Sequence, residues 1–156
     1  MPELRIAASP ADLDLARSLF REYERAVDTA CCFEGFEREL AEMGAIYGPP
    51  GGCVLLALDG GEAVGCAALR PLGDGAAEMK RLYLRPAARG RGLGGALVVR
   101  LLAEARALGH AKVVLETLPG RMPEAVALYQ SLGFEEIPPY VRRPLAGARY
   151  LALSLG

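Results

Sequence analysis

The sequence predicts a single α/β domain with a mixed, mostly antiparallel sheet of about seven strands flanked by about four helices. Three observations support this fold class. The chain has 156 residues, the size of one ordinary domain, so residues 1–156 are assigned to one domain. The first half ends in three consecutive apolar strands joined by turns. The second half alternates helices with strands, which gives the order β-α-α-β-β-β-α-β-α-β-β.

The first half opens with a short strand and two helices. Glu3 to Ala7 alternates like a strand. Ser9-Pro10-Ala11-Asp12 is typical of a helix start, because serine caps the helix, proline fits its first turn and an acidic residue favours its positive end. The apolar stripe that follows has the spacing of an amphipathic helix: Leu13, Ala16, Phe20, Tyr23 and Val27. A second helix is predicted over Phe36 to Met43, ended by Gly44.

The remaining elements follow from apolar runs and the turn residues between them. The antiparallel strands are predicted at Cys53–Leu58, Ala63–Leu69 and Glu78–Leu84, with turns at 59–62 and 71–75. A helix then covers Leu93–Leu108 and ends at Gly109, Lys112–Glu116 is a strand, a helix opens at Pro123 and ends at Gly133, and Phe134–Ile137 and Tyr150–Leu155 close the sheet.

Charge and hydropathy exclude several classes of partner. The net charge is −1 with no basic run, so the electrostatic footprint of a nucleic-acid partner is missing. No apolar run approaches the roughly 20 residues that span a bilayer, so no membrane association is expected. The N-terminus Met-Pro-Glu-Leu-Arg lacks the apolar core of a signal peptide, and we expect a cytoplasmic protein. The sequence leaves open whether it is a monomer or a homodimer.

The cysteines do not form a metal-binding pattern. The four are Cys31, Cys32, Cys53 and Cys66, without a CxxC pair, and the single histidine is His110. No metal site is therefore expected. The adjacent Cys31 and Cys32 could mark a reactive thiol, but small buried hydrophobic residues in a reducing compartment are the favoured interpretation.

The strongest functional signal is the glycine turn, the segment Arg89 to Gly95 between the third apolar strand and a helix. The first turn of a helix has unpaired N–H groups and a partial positive charge. Glycines keep side chains away, so a pyrophosphate can approach the backbone closely. Arg89 and Arg91 could add positive charge. A ligand-free flexible turn is the alternative, disfavoured by four glycines in six residues.

The glycine turn also fits the dinucleotide motif G-x-G-x-x-G, with Glu116 about 20 residues on as the acidic partner. Three features oppose that interpretation. Five residues including a proline separate Leu84 from Gly90, an antiparallel meander precedes the turn, and only 40 residues follow Glu116. A second half of a doubly wound fold would not fit in that length.

The segment from Glu78 to Gly94 resembles the signature of the GNAT family of N-acetyltransferases. The coenzyme A motif of that family, Gln/Arg-x-x-Gly-x-Gly/Ala, is matched by Arg89, Gly92 and Gly94. A second family motif is matched by Ala125, Leu128, Tyr129, Gly133 and Phe134. The predicted element order also resembles the acyl-CoA N-acyltransferase-like fold over nearly the whole chain.

The resemblance implies acetyl-CoA as co-substrate, held by backbone groups. Its pantetheine arm would follow the strand before the turn, and its pyrophosphate would take the N–H groups of the turn. The implied cofactor-binding residues are Leu82, Tyr83 and Leu84 on the strand and Arg89, Gly90, Arg91, Gly92, Leu93, Gly94 and Gly95 in the turn.

Two catalytic residues are implied in the same way. Tyr129 matches the family tyrosine that faces the coenzyme sulfur and is the candidate acid; a packed core tyrosine is the alternative. Glu78 has the offset from Arg89 at which some members carry a base; an exposed carboxylate beside Lys80 is the alternative. Glu116 is a weaker contender, and a mechanism without a protein base is also open.

The acceptor is the least determined part. In the family, the first two helices, here roughly residues 23–47, form the acceptor wall, with Phe33, Glu34 and Phe36 as candidates. The expected activity is direct acetyl transfer from acetyl-CoA to a primary amine of a small molecule, amino acid or peptide in a ternary complex. A non-catalytic coenzyme A binder and a dinucleotide-binding protein are the alternatives.

Overall fold

The computed structural model describes residues 2–26, 35–118 and 123–156, and within them it contains seven strands and five α-helices. In chain order these are β1 (Glu3–Ile6), α1 (Pro10–Ala26), α2 (Phe36–Ala41), α3 (Met43–Tyr47), β2 (Cys53–Asp59), β3 (Glu62–Gly73), β4 (Ala76–Leu84), α4 (Leu93–Ala107), β5 (Lys112–Thr117), α5 (Pro123–Ser131), β6 (Glu135–Ile137) and β7 (Arg149–Ser154). A 3-10 turn, Pro86–Ala88, lies between β4 and the glycine turn.

All seven strands belong to one sheet, in the order β1-β2-β3-β4-β5-β7-β6. Every neighbouring pair is antiparallel except β4 and β5, which run parallel. The predicted mixed, mostly antiparallel sheet is therefore confirmed. The parallel pair needs the long crossover that α4 provides, whereas the β2–β3 and β3–β4 connections are tight turns.

The sheet is buried on both faces, and each face has its own apolar cluster. β2 contributes Leu55 to the cluster under α4 and α5, and Leu56 to the cluster under α1, α2 and α3. This alternation explains why β2 is an unbroken apolar run in the sequence. Cys53 and Cys66 are buried in these clusters, as expected of small hydrophobic residues. Burial raises the pKa of Cys53 to about 11.

The second helix differs from its prediction. Two short helices, α2 and α3, replace it, and Gly44 lies inside α3 instead of ending a helix. The chain leaves α3 at Gly48, whose extended backbone leads into Pro49 and Pro50. Prolines cannot continue the helical hydrogen bonding, so they end the helical segment more effectively than Gly44 does. Tyr47, fully buried, fixes this last turn.

The β3–β4 hairpin is longer than predicted. β3 continues through Pro71 to Gly73, and the turn contracts to a few residues around Asp74. Pro71 is accommodated because the β3–β4 register shifts between it and Gly73.

No helix in the described ranges combines the length and the apolar character that crossing a bilayer would require.

Candidate functional site

The glycine turn opens α4 with unpaired backbone amides. Gly90 and Gly92 both have a φ of 77°, a left-handed conformation that glycine adopts without strain. Gly92 is the N-cap of α4, and none of the described side chains caps it. Ala96 donates its amide to the carbonyl of Gly92, but in the described ranges the amides of residues 90–95 find no acceptor. Free amides at the positive end of a helix, here one of 15 residues, are the arrangement that commonly binds anions in proteins.

The two arginines of the turn point in different directions. Arg89 donates from Nε to the carbonyl of Leu84 at 3.0 Å, and its guanidinium lies 6.0 Å from the ring centroid of Tyr83. Arg91 instead forms a 2.9 Å ion pair with Asp59, at the end of β2. Arg89 therefore lies against the end of β4, whereas Arg91 points away from it toward the end of β2.

A groove with a volume of about 850 Å³ extends from the glycine turn between β4 and α5. That volume is in the range of small-molecule sites. Its lining consists of Leu82, Tyr83, Leu84, Arg89, Gly90, Gly94, Glu124, Ala125, Leu128, Tyr23 and Ala26. Six of the ten predicted cofactor-binding residues are in this lining; Arg91, Gly92, Leu93 and Gly95 are not. Tyr23 and Glu124 line the groove but were not predicted as cofactor-binding residues. In the sequence, Tyr23 belongs to the apolar stripe of a helix, which indicates core packing.

The groove exists because β4 and β5 separate. The two strands pair only at Ala76, Ala77 and Glu78, opposite Lys112, Val113 and Val114. β5 then follows β7 over its whole length, while β4 stays with β3. Beyond Glu78, the edge of β4 that faces β5 has no ladder partner among the described residues. Apart from the Leu84 carbonyl, which accepts from Arg89, its backbone groups are available to an extended ligand.

A β-bulge bends β4 at the same point. The β3–β4 register slips by one between Lys80 and Tyr83, so Arg81 and Leu82 together oppose Ala67. Arg81 has a φ of 61°, in the left-handed region that costs energy for any residue other than glycine. Such strain is maintained by the surrounding contacts and is common at functional sites.

Tyr129 is buried in the apolar cluster under α4 and α5 and is not itself in the lining of the groove. Its side chain is 5% exposed and its ring lies 5.7 Å from that of Phe134, while the preceding residue, Leu128, lines the groove. In the described ranges the hydroxyl has no hydrogen-bond partner. Burial first, and then the nearby Tyr23, raise the pKa of Tyr129. The tyrosine is both packed and protonated at neutral pH.

Glu78 lies where β4 and β5 part, and it is 4% exposed. The alternative of an exposed carboxylate is therefore wrong. Arg70 donates from Nε to Oε1 at 2.7 Å, and the Tyr140 hydroxyl donates to Oε2 at 2.6 Å. Burial, followed by the adjacent Glu78, raises the pKa of Tyr140. The tyrosine therefore keeps its proton at neutral pH and occupies Oε2 of Glu78.

Glu116, the weaker contender, has a tyrosine of its own. The hydroxyl of Tyr150 donates to Glu116 Oε2. The rings of Tyr140 and Tyr150 meet edge to face with centroids 5.4 Å apart. The two carboxylates are thus joined through a pair of contacting tyrosines. Tyr140 comes from the segment between β6 and β7, where no spacing pattern distinguished it.

A buried ion pair lies on the α1–α3 side of β4. Arg81 donates to both carboxylate oxygens of Glu39, at 2.6 and 2.8 Å, and Tyr47 donates to Glu39 at 2.9 Å. Burial alone would raise the pKa of Glu39, but these hydrogen bonds, with Arg81 foremost, hold it below the ordinary value of 4.5. The guanidinium also lies 5.6 Å from the ring centroid of Phe36.

The predicted acceptor wall is described only in part. Phe36 is buried against Arg81. Phe33 and Glu34, and likewise Cys31 and Cys32, lie outside the described residues. In the described ranges no group of three or more His, Cys, Asp and Glu side chains could hold a metal ion.

Comparisons with known proteins agree with this geometry. A family model described as the acetyltransferase (GNAT) family matches residues 14–134. An uncharacterised N-acetyltransferase of Schizosaccharomyces pombe is 40% identical over 148 residues, which cover 94% of this chain and 90% of that protein. A GNAT acetyltransferase structure from Staphylococcus aureus superposes with a TM-score of 0.81 at 16% identity, covering 100% of both chains. YncA from Salmonella typhimurium, solved with its cofactor acetyl-CoA, superposes with a TM-score of 0.68 at 24% identity over 99% of this chain and 94% of that chain.

Proposed function

Because the chain belongs to the GNAT family of acetyltransferases, we propose that it moves the acetyl group of acetyl-CoA onto a primary amine of a small molecule, amino acid or peptide. Acetyl-CoA supplies the acetyl group already activated as a thioester. The amine reacts directly while both substrates are bound. The buried thiols of Cys53 and Cys66 are consistent with direct transfer, since burial raises the pKa of both and suppresses their thiolates.

The observation that carries the proposal is the run of amides at residues 90–95, which have no acceptor in the described ranges and two of which, those of Gly90 and Gly94, belong to residues that line the groove. These amides would hold the pyrophosphate, and Arg89 would add charge beside them. The edge of β4 from Leu82 to Leu84, which has no ladder partner on its β5 side in the described ranges, would hold the pantetheine arm through N–H and C=O groups. The residues present fit the co-substrate, because the site offers an anion cradle and an extended hydrogen-bonding edge next to each other.

Tyr129 is proposed as the general acid that gives a proton to the departing sulfur. Its side chain is buried next in sequence to the groove residue Leu128, and its hydroxyl has no partner in the described ranges. Burying a hydroxyl without a hydrogen bond costs free energy. A ligand in the groove that accepts a hydrogen bond from Tyr129 would remove this cost. Its raised pKa keeps the proton in place until the thiolate forms.

Glu78 is proposed as the general base, acting through Tyr140. Both carboxylate oxygens are engaged, one by Arg70 and one by the Tyr140 hydroxyl. The amine would pass its proton to Tyr140 Oη as Tyr140 passes its own proton to Glu78 Oε2. In this route the buried carboxylate of Glu78 keeps its position. Tyr140 receives one proton from the amine for the one proton that it delivers to Glu78.

The test combines binding with turnover. Acetyl-CoA should raise the melting temperature by mass action, by the equivalent of about 2.7 kcal/mol at about 100 times its Kd, and NADH should not. A panel of amines, amino acids and peptides is then assayed for release of free thiol, with the product identified by mass. Stabilisation by NADH alone would favour a dinucleotide-binding protein. Stabilisation by acetyl-CoA without turnover of any amine would favour a non-catalytic binder.

A further inference from the structure

Five charged side chains lie together at the point where β4 leaves β5, and we refer to them as the charged patch: Glu39, Arg70, Glu78, Lys80 and Arg81. Strand alternation places Glu78 and Lys80 on the same face of β4, and the register partner of Lys80, Ala68, belongs to the apolar cluster under α1, α2 and α3. The charged patch is therefore on the opposite side of the sheet from α4 and α5.

Both carboxylates of the charged patch are already paired. Glu39 receives two hydrogen bonds from Arg81, and Glu78 receives one from Arg70 and one from Tyr140. Lys80 has no carboxylate within 4 Å in the part of the chain that the structure describes. Within the described residues, the three cations of the charged patch face two carboxylates, and Lys80 is the cation without an ion pair.

Lys80 is half-buried, which makes its missing counter-ion significant. Burial first, and then the adjacent Arg81 guanidinium, lower the pKa of Lys80. A partly desolvated ammonium is unfavourable unless an anion accompanies it. An anion bound next to Lys80 would offset the cost of desolvating the ammonium. Charged groups with perturbed pKa values are common in ligand-binding sites.

The charged patch also lies next to the proposed point of transfer. Lys80 is two residues from Leu82, which lines the groove, and the bulge lies between them. Tyr23, another groove residue, interacts electrostatically with both Arg81 and Tyr129. An amine that reaches the groove from the α1–α3 side would therefore have Lys80 within reach of its remaining groups.

We propose that the acceptor is an amine that also carries a carboxylate, as an amino acid does, and that Lys80 binds this carboxylate. The inference rests on the proposed acetyltransferase function and narrows its substrate class. Arg142 and Arg143, exposed on the segment that follows Tyr140 and without an ion pair in the described ranges, add to the positive potential that would attract such a substrate.

The test uses matched acceptors with the wild-type protein. Amino acids with small, acidic and aromatic side chains are each offered as the free acid, the amide and the decarboxylated amine, and kcat and KM are measured with saturating acetyl-CoA. We expect the free acids to have a kcat/KM roughly 10- to 100-fold above their amides, the size of a hydrogen bond to a charged group. Amides or decarboxylated amines that react equally well or better would overturn the inference.

Variants of Lys80 then assign the effect to this residue. Lys80→Met should raise KM for the free acids to that of the amides with little change in kcat, and Lys80→Arg should restore the preference. Lys112, the second lysine of the chain, is exposed at the start of β5, so Lys112→Met is the matched control and should behave as wild type. Stabilisation of each variant by acetyl-CoA checks that it is folded. A Lys80→Met protein that keeps the preference for acids would overturn the assignment.

The two proposals fail separately. If the wild type acetylates amines without preferring acids, only the carboxylate inference is lost. If it turns over no amine at all while binding acetyl-CoA, the proposed acetyltransferase function itself is lost, and the inference falls with it.

Discussion

The candidate sites on the two sides of β4 are formed by different kinds of groups. On the α5 side, the candidate cofactor site consists of backbone: the amides of residues 90–95 and the edge from Leu82 to Leu84, which has no ladder partner on its β5 side in the described ranges. On the α1–α3 side, the charged patch consists of side chains from α2, β3 and β4. A backbone site depends on conformation and on the absence of side chains, whereas a side-chain site depends on which charges are paired. Substitutions should therefore affect the two sides in different ways.

The largest effect is expected from Glu39→Gln. The change leaves Arg81 buried without its carboxylate, which should lower the free energy of unfolding by about 3–5 kcal/mol, out of the roughly 5–15 kcal/mol of an ordinary domain. Urea denaturation at neutral pH measures the loss. Glu37 on the same helix makes a bidentate pair with Arg21 in solvent, so Glu37→Gln is the matched control and should change stability little.

The same ion pair gives a signed pH dependence. The folded-state pKa of Glu39 is held below its ordinary value of 4.5, so its contribution to stability is present above about pH 4.5 and is lost as the pH falls through the folded pKa. Acid should therefore destabilise the wild type more steeply than Glu39→Gln. If Glu39→Gln also lost stabilisation by acetyl-CoA, the two sides of β4 would not be independent.

Tyr129→Phe should separate chemistry from cofactor binding. Removing the hydroxyl takes away the proposed acid, and we expect kcat to fall about 100-fold on any accepted amine. The ring stays packed against Phe134, so the rise in melting temperature with acetyl-CoA should stay near that of the wild type. A normal kcat would remove Tyr129 from the mechanism and leave it as a core residue.

The contrast between the two sides also explains what the sequence could predict. The sheet, the order of the elements and the glycine turn follow from local patterns, and six of the eleven residues that line the candidate cofactor groove lie in the continuous stretch from Leu82 to Gly94. Glu39 and Arg81 are 42 positions apart and Glu78 and Tyr140 are 62 apart, so no spacing connects them. The prediction ended the second helix at Gly44, because glycine is typical of a helix end. In the structure, α3 includes Gly44 and extends to the buried Tyr47.

Glu78→Gln tests the proposed proton route. We expect activity at neutral pH to fall about tenfold and to recover at higher pH, because without a base the rate follows the fraction of free amine. Tyr140→Phe should give the same pH–rate profile, and the double variant should lose little more, since both residues act in one route. Glu116→Gln, which alters the neighbouring carboxylate and tyrosine pair, is the control. A pH–rate profile shifted by Glu116→Gln, and unaltered by Glu78→Gln, would transfer the base to Glu116.

Gly92→Ala tests the backbone site. The added methyl group stands at a φ of 77° and next to the amides that would hold the pyrophosphate, so the affinity for acetyl-CoA should fall by about fivefold, or about 1 kcal/mol. Gly60 in the β2–β3 turn has a similar φ of 62° and equally open surroundings. Gly60→Ala should therefore cost similar stability and leave the affinity unchanged. An equal loss of affinity in both variants would trace the effect to general destabilisation instead of the cradle.

The smallest effect distinguishes the two arginines of the turn. Arg89 lines the groove, so Arg89→Ala should weaken acetyl-CoA binding by roughly threefold, as an exposed ion pair would, and the difference should shrink at high salt. Arg91 is held by Asp59 outside the groove, so Arg91→Ala should leave the affinity unchanged although both arginines flank Gly90 in the motif. Titrations with acetyl-CoA at low and high salt measure both. If Arg91→Ala weakened binding as much as Arg89→Ala, Arg91 would have to leave Asp59 when the ligand binds, and the cofactor side of β4 would then depend on side chains as well as on backbone.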